Sequence, residues 1–181
     1  MTSESPFVEA RSQLCAVAAP EGGRVLLFGG YNSGYSDCNT VHEYDTSTGS
    51  YTLFDTLTKT IRGAHGIWHT DGKIYLAGGY PDDSVTIYDP ASKSCDWIMG
   101  LSNGKGAAVL MDRSNKLHIL GGQNNAQTHY VFDLETRLIV SLNAMPKRVM
   151  NGGSGYDPAT GRIYLYSGMV VTLIIPCWSC I

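Results

Sequence analysis

Charge is scarce in this 181-residue chain: Asp, Glu, Lys and Arg together make up 16%, against a usual figure of about 25% in soluble domains. Basic residues number 13 and acidic ones 16, a net charge of −3. The basic footprint that nucleic acid or an anionic membrane demands is therefore missing, and neither is expected as a partner. No stretch reaches the roughly 18 consecutive apolar residues of a membrane-spanning helix. The opening Met1-Thr2-Ser3-Glu4-Ser5-Pro6 lacks the basic start and apolar core of a signal peptide. Asn-x-Ser/Thr sequons are absent, and the five cysteines (Cys15, Cys38, Cys95, Cys177 and Cys180) form an odd, scattered set. Together these features predict reduced thiols and a cytoplasmic protein.

What the chain has in excess is glycine, at 21, and tyrosine, at 11. That pairing suits a turn-rich all-β chain better than a helical bundle, which would be richer in Glu, Lys, Leu and Ala. The sequence also repeats itself. Val25-Leu26-Leu27-Phe28-Gly29-Gly30 aligns with Ile74-Tyr75-Leu76-Ala77-Gly78-Gly79 and with Leu117-His118-Ile119-Leu120-Gly121-Gly122. An eroded fourth copy is Ile163-Tyr164-Leu165-Tyr166-Ser167-Gly168, and the first small residues of the four pairs are 49, 43 and 46 residues apart.

Each apolar run follows a turn signal such as Gly22-Gly23, Asp71-Gly72, Ser114-Asn115 or Thr160-Gly161, the chemistry of a hairpin connection. A second landmark follows each Gly-Gly: Val41-His42-Glu43-Tyr44-Asp45, then Val85-Thr86-Ile87-Tyr88-Asp89, then Tyr130-Val131-Phe132-Asp133. These are β-branched and aromatic strands closed by an Asp suited to turning the chain. Tyr51 and Trp97 fall near the expected fourth strand of the first two units.

Each unit thus reads as four short strands. A lone four-stranded sheet cannot bury both faces, but sheets stacked against copies of themselves can, which predicts a β-propeller. Gly29, Gly30, Gly78, Gly79, Gly121 and Gly122 are expected where the backbone needs positive φ or a neighbour comes very close. Tyr44, Tyr88, Phe132 and Trp97 are expected as large plates between blades.

These marks resemble the kelch repeat: an apolar strand ending in Gly-Gly, then Tyr-Asp, then a later aromatic. Arg11, Arg62 and Arg148 stand 18, 16 and 19 residues before the small pair, with Lys105 in that place in the third unit, and an Arg often opens the lead-in strand of that family. The resemblance covers about residues 10–168 and implies a propeller of six or seven blades, most often used to bind other proteins. Here only three complete units and part of a fourth are expected: 10–55, 60–98, 103–140 and 148–168. Residues 1–9 read as an N-terminal extension, and 169–181 as an atypical apolar tail where Gly-Gly and a Tyr-Asp strand would be due. The expected architecture is an incomplete arc of four-stranded antiparallel blades. Its open apolar faces and unpaired edges predict self-association or a missing remainder of the ring.

Candidate chemistry is thin. His65 and His69 lie on a strand pattern without the HExxH signature. Cys177-x-x-Cys180 has no second ligand pair, so no metal site and no cofactor is expected. Gly100 to Gly106 has neither the spacing nor the Ser/Thr of a phosphate loop.

Two functional expectations remain. The first is a protein-interaction module whose unidentified partner meets Tyr31, Tyr35, Tyr80 and Gln123, on the polar loops that follow the Gly-Gly pairs, with no catalytic residues. The second follows from relatives. Galactose oxidase and glyoxal oxidase are copper enzymes built on kelch-like propellers, and sugar isomerases also use the fold. This implies a carbohydrate-active alternative in which Arg62, His65 and Arg148 line a channel. The Tyr-His dipeptide of the copper oxidases is missing, and none of their ligands maps onto a residue of this chain.

Overall fold

The structure is a computed structural model that describes residues 9–167 and 170–176. Among these residues there is no helix, so none is long and apolar enough to cross a membrane. The chain instead folds into four successive antiparallel sheets and one small ribbon.

The ribbon pairs β1 (Arg11–Ser12) with β4 (Tyr31–Asn32). The first sheet orders β2 (Cys15–Ala18), β3 (Arg24–Phe28), β5 (Thr40–Asp45) and β6 (Ser50–Thr56). The second runs through β7 (His65–Trp68), β8 (Ile74–Ala77), β9 (Ser84–Asp89) and β10 (Ser94–Met99). The third contains β11 (Ala108–Met111), β12 (Lys116–Leu120), β13 (His129–Asp133) and β14 (Ile139–Ser141). The fourth has three strands, β15 (Gly153–Asp157), β16 (Arg162–Ser167) and β17 (Val170–Pro176). Strand β17 falls in the segment expected to be an atypical tail. It pairs with β16 from Arg162↔Pro176 to Ser167↔Val170, occupying the place of the Tyr-Asp strand. The remaining tail, 177–181, and most of the N-terminal extension lie outside the described residues.

Local chemistry explains the hairpins. In the first three sheets the Asp that closes the third strand accepts backbone N–H groups of the next turn on its Oδ1. Asp45 takes Ser47 at 2.8 Å, Asp89 takes Ala91 at 2.9 Å, and Asp133 takes Glu135 and Thr136 at 3.0 Å. This is the Asx turn, in which a short side chain replaces a backbone acceptor and folds the chain onto β6, β10 and β14. Tyr51 and Trp97 do lie on fourth strands but two register positions apart, since Tyr51 faces Tyr44 whereas Cys95 faces Tyr88.

Alternation along the strands gives every sheet two faces. Leu26, Phe28 and Val41 of the first sheet share a core with Ile74, Leu76 and Tyr88 of the second. Tyr75, Ala77 and Val85 of the second share one with Leu117, Ile119 and Phe132 of the third. Ala108, Leu110 and Leu120 of the third share one with Ile163 and Leu165 of the fourth. The first strands β2, β7, β11 and β15 lie side by side in chain order. Gly66 allows that approach, because a Cβ there would meet Val17 at 2.7 Å and Cys15 at 3.1 Å. The arrangement is all-β and compatible with a propeller-like stacking of sheets.

Candidate functional site

In each sheet the first strand starts, and the second ends, at the same end of the molecule. Four residues just before the first strands take left-handed backbone conformations: Gln13 (φ 56°), Gly63 (φ 63°), Gly106 (φ 78°) and Asn151 (φ 51°). They are linked in series. The N–H of Gly63 donates to the carbonyl of Gln13 at 2.7 Å, Gly106 to Gly63 at 2.9 Å, and Asn151 to Gly106 at 2.9 Å. Each sheet is thereby tied to the previous one by a main-chain bond at a conformation that Gly and Asn adopt cheaply.

The Gly-Gly pairs make further ties on this end. Gly30 donates to Ile61 at 2.8 Å, and Gly122 donates to Val149 at 2.9 Å. Gly29 has φ 55° and Gly121 φ 69°, and a Cβ on either would collide with the carbonyl of Ile61 or Val149. At these two positions both the conformation and the close approach exclude a side chain.

The chained residues surround a cavity of about 610 Å³, lined among others by Gln13, His65, Lys105, Gln123 and Asn151. Lys105 reaches across it, its Nζ donating to Gln13 Oε1 at 3.1 Å. The lining holds two nitrogen bases and several amides but no carboxylate. It is a place for polar contacts, with His65 and Lys105 as its two ionisable groups. Among the described residues no group of three or more His, Cys, Asp or Glu is placed to hold a metal ion. Burial pushes the thiols of Cys15 and Cys95 up to about 12, so both stay protonated at neutral pH.

Beside the cavity, the loop after the first Gly-Gly carries an aromatic cluster. The side chain of Asn32 accepts the N–H of Ser36 at 2.9 Å, and its backbone bonds Ser36 and Tyr35. This tight turn holds Tyr35 at φ 60° with the ring 83% exposed. Tyr31 meets Tyr35 edge to face at 6.2 Å. The guanidinium of Arg62 lies 4.7 Å from the Tyr31 ring and 4.5 Å from the Tyr80 ring, and pairs with Asp37 at 3.0 Å. A shallow recess of about 500 Å³, lined by Arg11, Tyr31 and Tyr35, opens alongside.

The candidate residues therefore separate. Tyr31 and Tyr80 flank Arg62 and Tyr35 meets Tyr31, whereas Gln123 belongs to the cavity with His65. Arg62 stacks between tyrosines instead of lining the cavity, and Arg148 is exposed and outside the lining. The arginines expected to share one repeat position do not. Backbone pairing puts Arg62 opposite Tyr80 and Ser12 opposite Tyr31, so Ser12 is the counterpart of Arg62 and Arg11 is offset by one residue. Arg11 instead ties the first sheet internally, donating to Gly29 O at 3.1 Å and Thr40 Oγ1 at 2.7 Å.

Sequence reasoning missed Asp37 and the lining role of Gln13 and Asn151. The signal for the last two was a left-handed position one residue after Ser12 and Met150, matching Gly63 and Gly106, but glutamine gives no such hint. No protein-family model matches the chain, and no curated protein is similar to it.

Proposed function

We propose that the four sheets are blades of a kelch-type propeller arc, and that the chain is a protein-binding module engaging a partner through its Gly-Gly end. Support comes chiefly from Tyr35. This tyrosine is 83% exposed on a backbone held by a hydrogen-bonded turn, and its ring meets that of Tyr31 edge to face. Less ordering entropy is therefore lost when a partner covers it than on a free loop. Its neighbours suit the same role. A Tyr–Arg–Tyr stack supplies a rigid, amphipathic surface of the residue types that dominate interface energetics. The adjoining cavity adds amide and lysine hydrogen-bonding groups for orientation.

The test uses a displayed random-peptide library selected on the whole chain, with the enriched peptides then titrated calorimetrically. The Tyr35→Ala/Tyr80→Ala double variant is expected to weaken the enriched peptides at least tenfold, about 1.4 kcal/mol or more. Peptides that bind the double variant as well as the parent chain would remove this face from consideration.

A further inference from the structure

Aligning the sheets by their Gly-Gly pairs puts Val25, Ile74, Leu117 and Ile163 at one position, and Leu27, Leu76, Ile119 and Leu165 at another. In the second, third and fourth sheets all six of these side chains are 0–1% exposed, because each is pressed into the core shared with the preceding sheet. Val25 and Leu27 are only half-buried, since among the described residues no sheet packs on that side of the first.

Register builds an apolar face around them. One row is Ala16, Leu27, His42 and Leu53, and the next is Ala18, Val25, Tyr44 and Tyr51. Leu53 is 62% exposed, and the rings of Tyr44 and Tyr51 sit 4.6 Å apart. Tyr44 is the counterpart of Tyr88 and Phe132, which are fully buried in the other sheets. Among the described residues the complementary side of the fourth sheet is open. Tyr164 and Tyr166 stand there opposite Gly155 and Gly153, and Tyr166 is 58% exposed. These are the positions that Leu26 and Phe28 hold in the first sheet, buried against the second. The lead-in strands β2 and β15 do not pack together as consecutive lead-in strands do, so among the described residues neither open face covers the other.

We infer that a second copy of this chain lays its fourth sheet against the first sheet of its partner, and the partner reciprocates, so that two arcs close into one ring of eight sheets. The occupant is argued from the molecule itself. Three times along the chain, the later face of one sheet packs on the earlier face of the next through these same repeat positions, and the two open faces are one of each kind. Contacts of this head-to-tail type close when the rotation allows and otherwise run on as filaments. Eight sheets lies within the range of known propellers. The docking faces are made of strand residues and do not include the Tyr35 turn, so failure of the dimer leaves the peptide-binding reading untouched.

Sedimentation velocity of the whole chain is expected to show a discrete dimer. Leu53→Glu and Tyr166→Glu alter side chains already in water, so circular dichroism should remain that of the parent. Each variant is expected to raise the dimer dissociation constant at least tenfold. Mixing the two is expected to give a heterodimer weaker than the parent dimer but tighter than either variant alone, because one junction then has both faces intact while the other carries both changes. A chain that stays monomeric near 100 μM, one that grows into open polymers, or a dimer indifferent to both variants would each overturn the proposal.

Discussion

The junction between the first and second sheets and the junction between the third and fourth use the same repeat positions with opposite chemistry. At the first, Leu26 and Val41 are fully buried and Ala19 is nearly so, and Phe28 meets Tyr88 edge to face at 5.3 Å. At the second, the counterparts of Ala19, Leu26 and Val41 are Asp112, His118 and His129, which are 4%, 1% and 6% exposed. Those three form a chain. His118 Nδ1 lies 2.8 Å from His129 Nε2, and His118 Nε2 lies 3.3 Å from Asp112 Oδ2. The other carboxylate oxygen of Asp112 accepts the N–H groups of Ser114 at 2.8 Å and Lys116 at 3.0 Å.

Burial holds both imidazoles below their usual range, His129 at about 4, so both are neutral at pH 7. The tautomers that fit these distances have His129 Nε2–H donating to His118 Nδ1 and His118 Nε2–H donating to Asp112 Oδ2. The comparison teaches that this scaffold takes a polar core at a position built for leucine, provided every group in it is satisfied.

The comparison can be broken most forcefully at the apolar junction. Phe28→Ala removes a side chain with no exposed surface and is expected to cost about 3–5 kcal/mol, read from urea denaturation. A smaller cost would mean that the first two sheets hold together by something other than this core.

The next effect belongs to the polar junction and to pH. A histidine whose folded pKa is depressed binds fewer protons folded than unfolded. Its stabilisation is therefore complete above pH 6.5 and is lost as pH falls through about 4. Unfolding free energy is expected to drop by on the order of 1–3 kcal/mol between those pH values, measured by urea titration at fixed ionic strength. Carboxylates add their own slope at the acid end, so the decisive measurement is a difference from a chain without the histidines.

The smallest effect supplies that chain. The triple variant Asp112→Ala, His118→Leu, His129→Val transplants the first sheet's own residues into the third. It is expected to stay within about 1 kcal/mol of the parent at pH 7.5, since replacing a buried polar group and its partner together by apolar groups is near neutral. Its stability is expected to fall less than the parent's between pH 6.5 and 4, the difference being the part supplied by His118 and His129. A variant that fell as far as the parent would place the titrating group elsewhere.

Much of this fold was legible because its determinants are local. Asp-Gly and Gly-Gly turns, period-2 alternation and the closing Asp45, Asp89 and Asp133 act within a few residues, and they marked the hairpins of the first three sheets. Val170–Pro176 was not legible as a third strand, because no turn signal announces it. It pairs because β16 offers an open edge to an apolar, β-branched segment. The candidate site divided in the same way. The loops carrying Tyr31, Tyr35 and Tyr80 could be picked from their place after Gly-Gly, but the stacking of Arg62 between two of those rings could not. It depends on two sheets arriving side by side.

By itself the sequence determined the strand pattern, the turn chemistry and the glycines that no side chain can replace, since each follows from backbone sterics and short-range hydrogen bonding. Only the tertiary structure decided which face of each sheet is covered, that Lys105 meets Gln13 across the cavity, and that three polar residues join inside the third sheet. Those contacts link positions far apart in the chain, and their free energy exists only once neighbouring sheets have excluded water from the space between them.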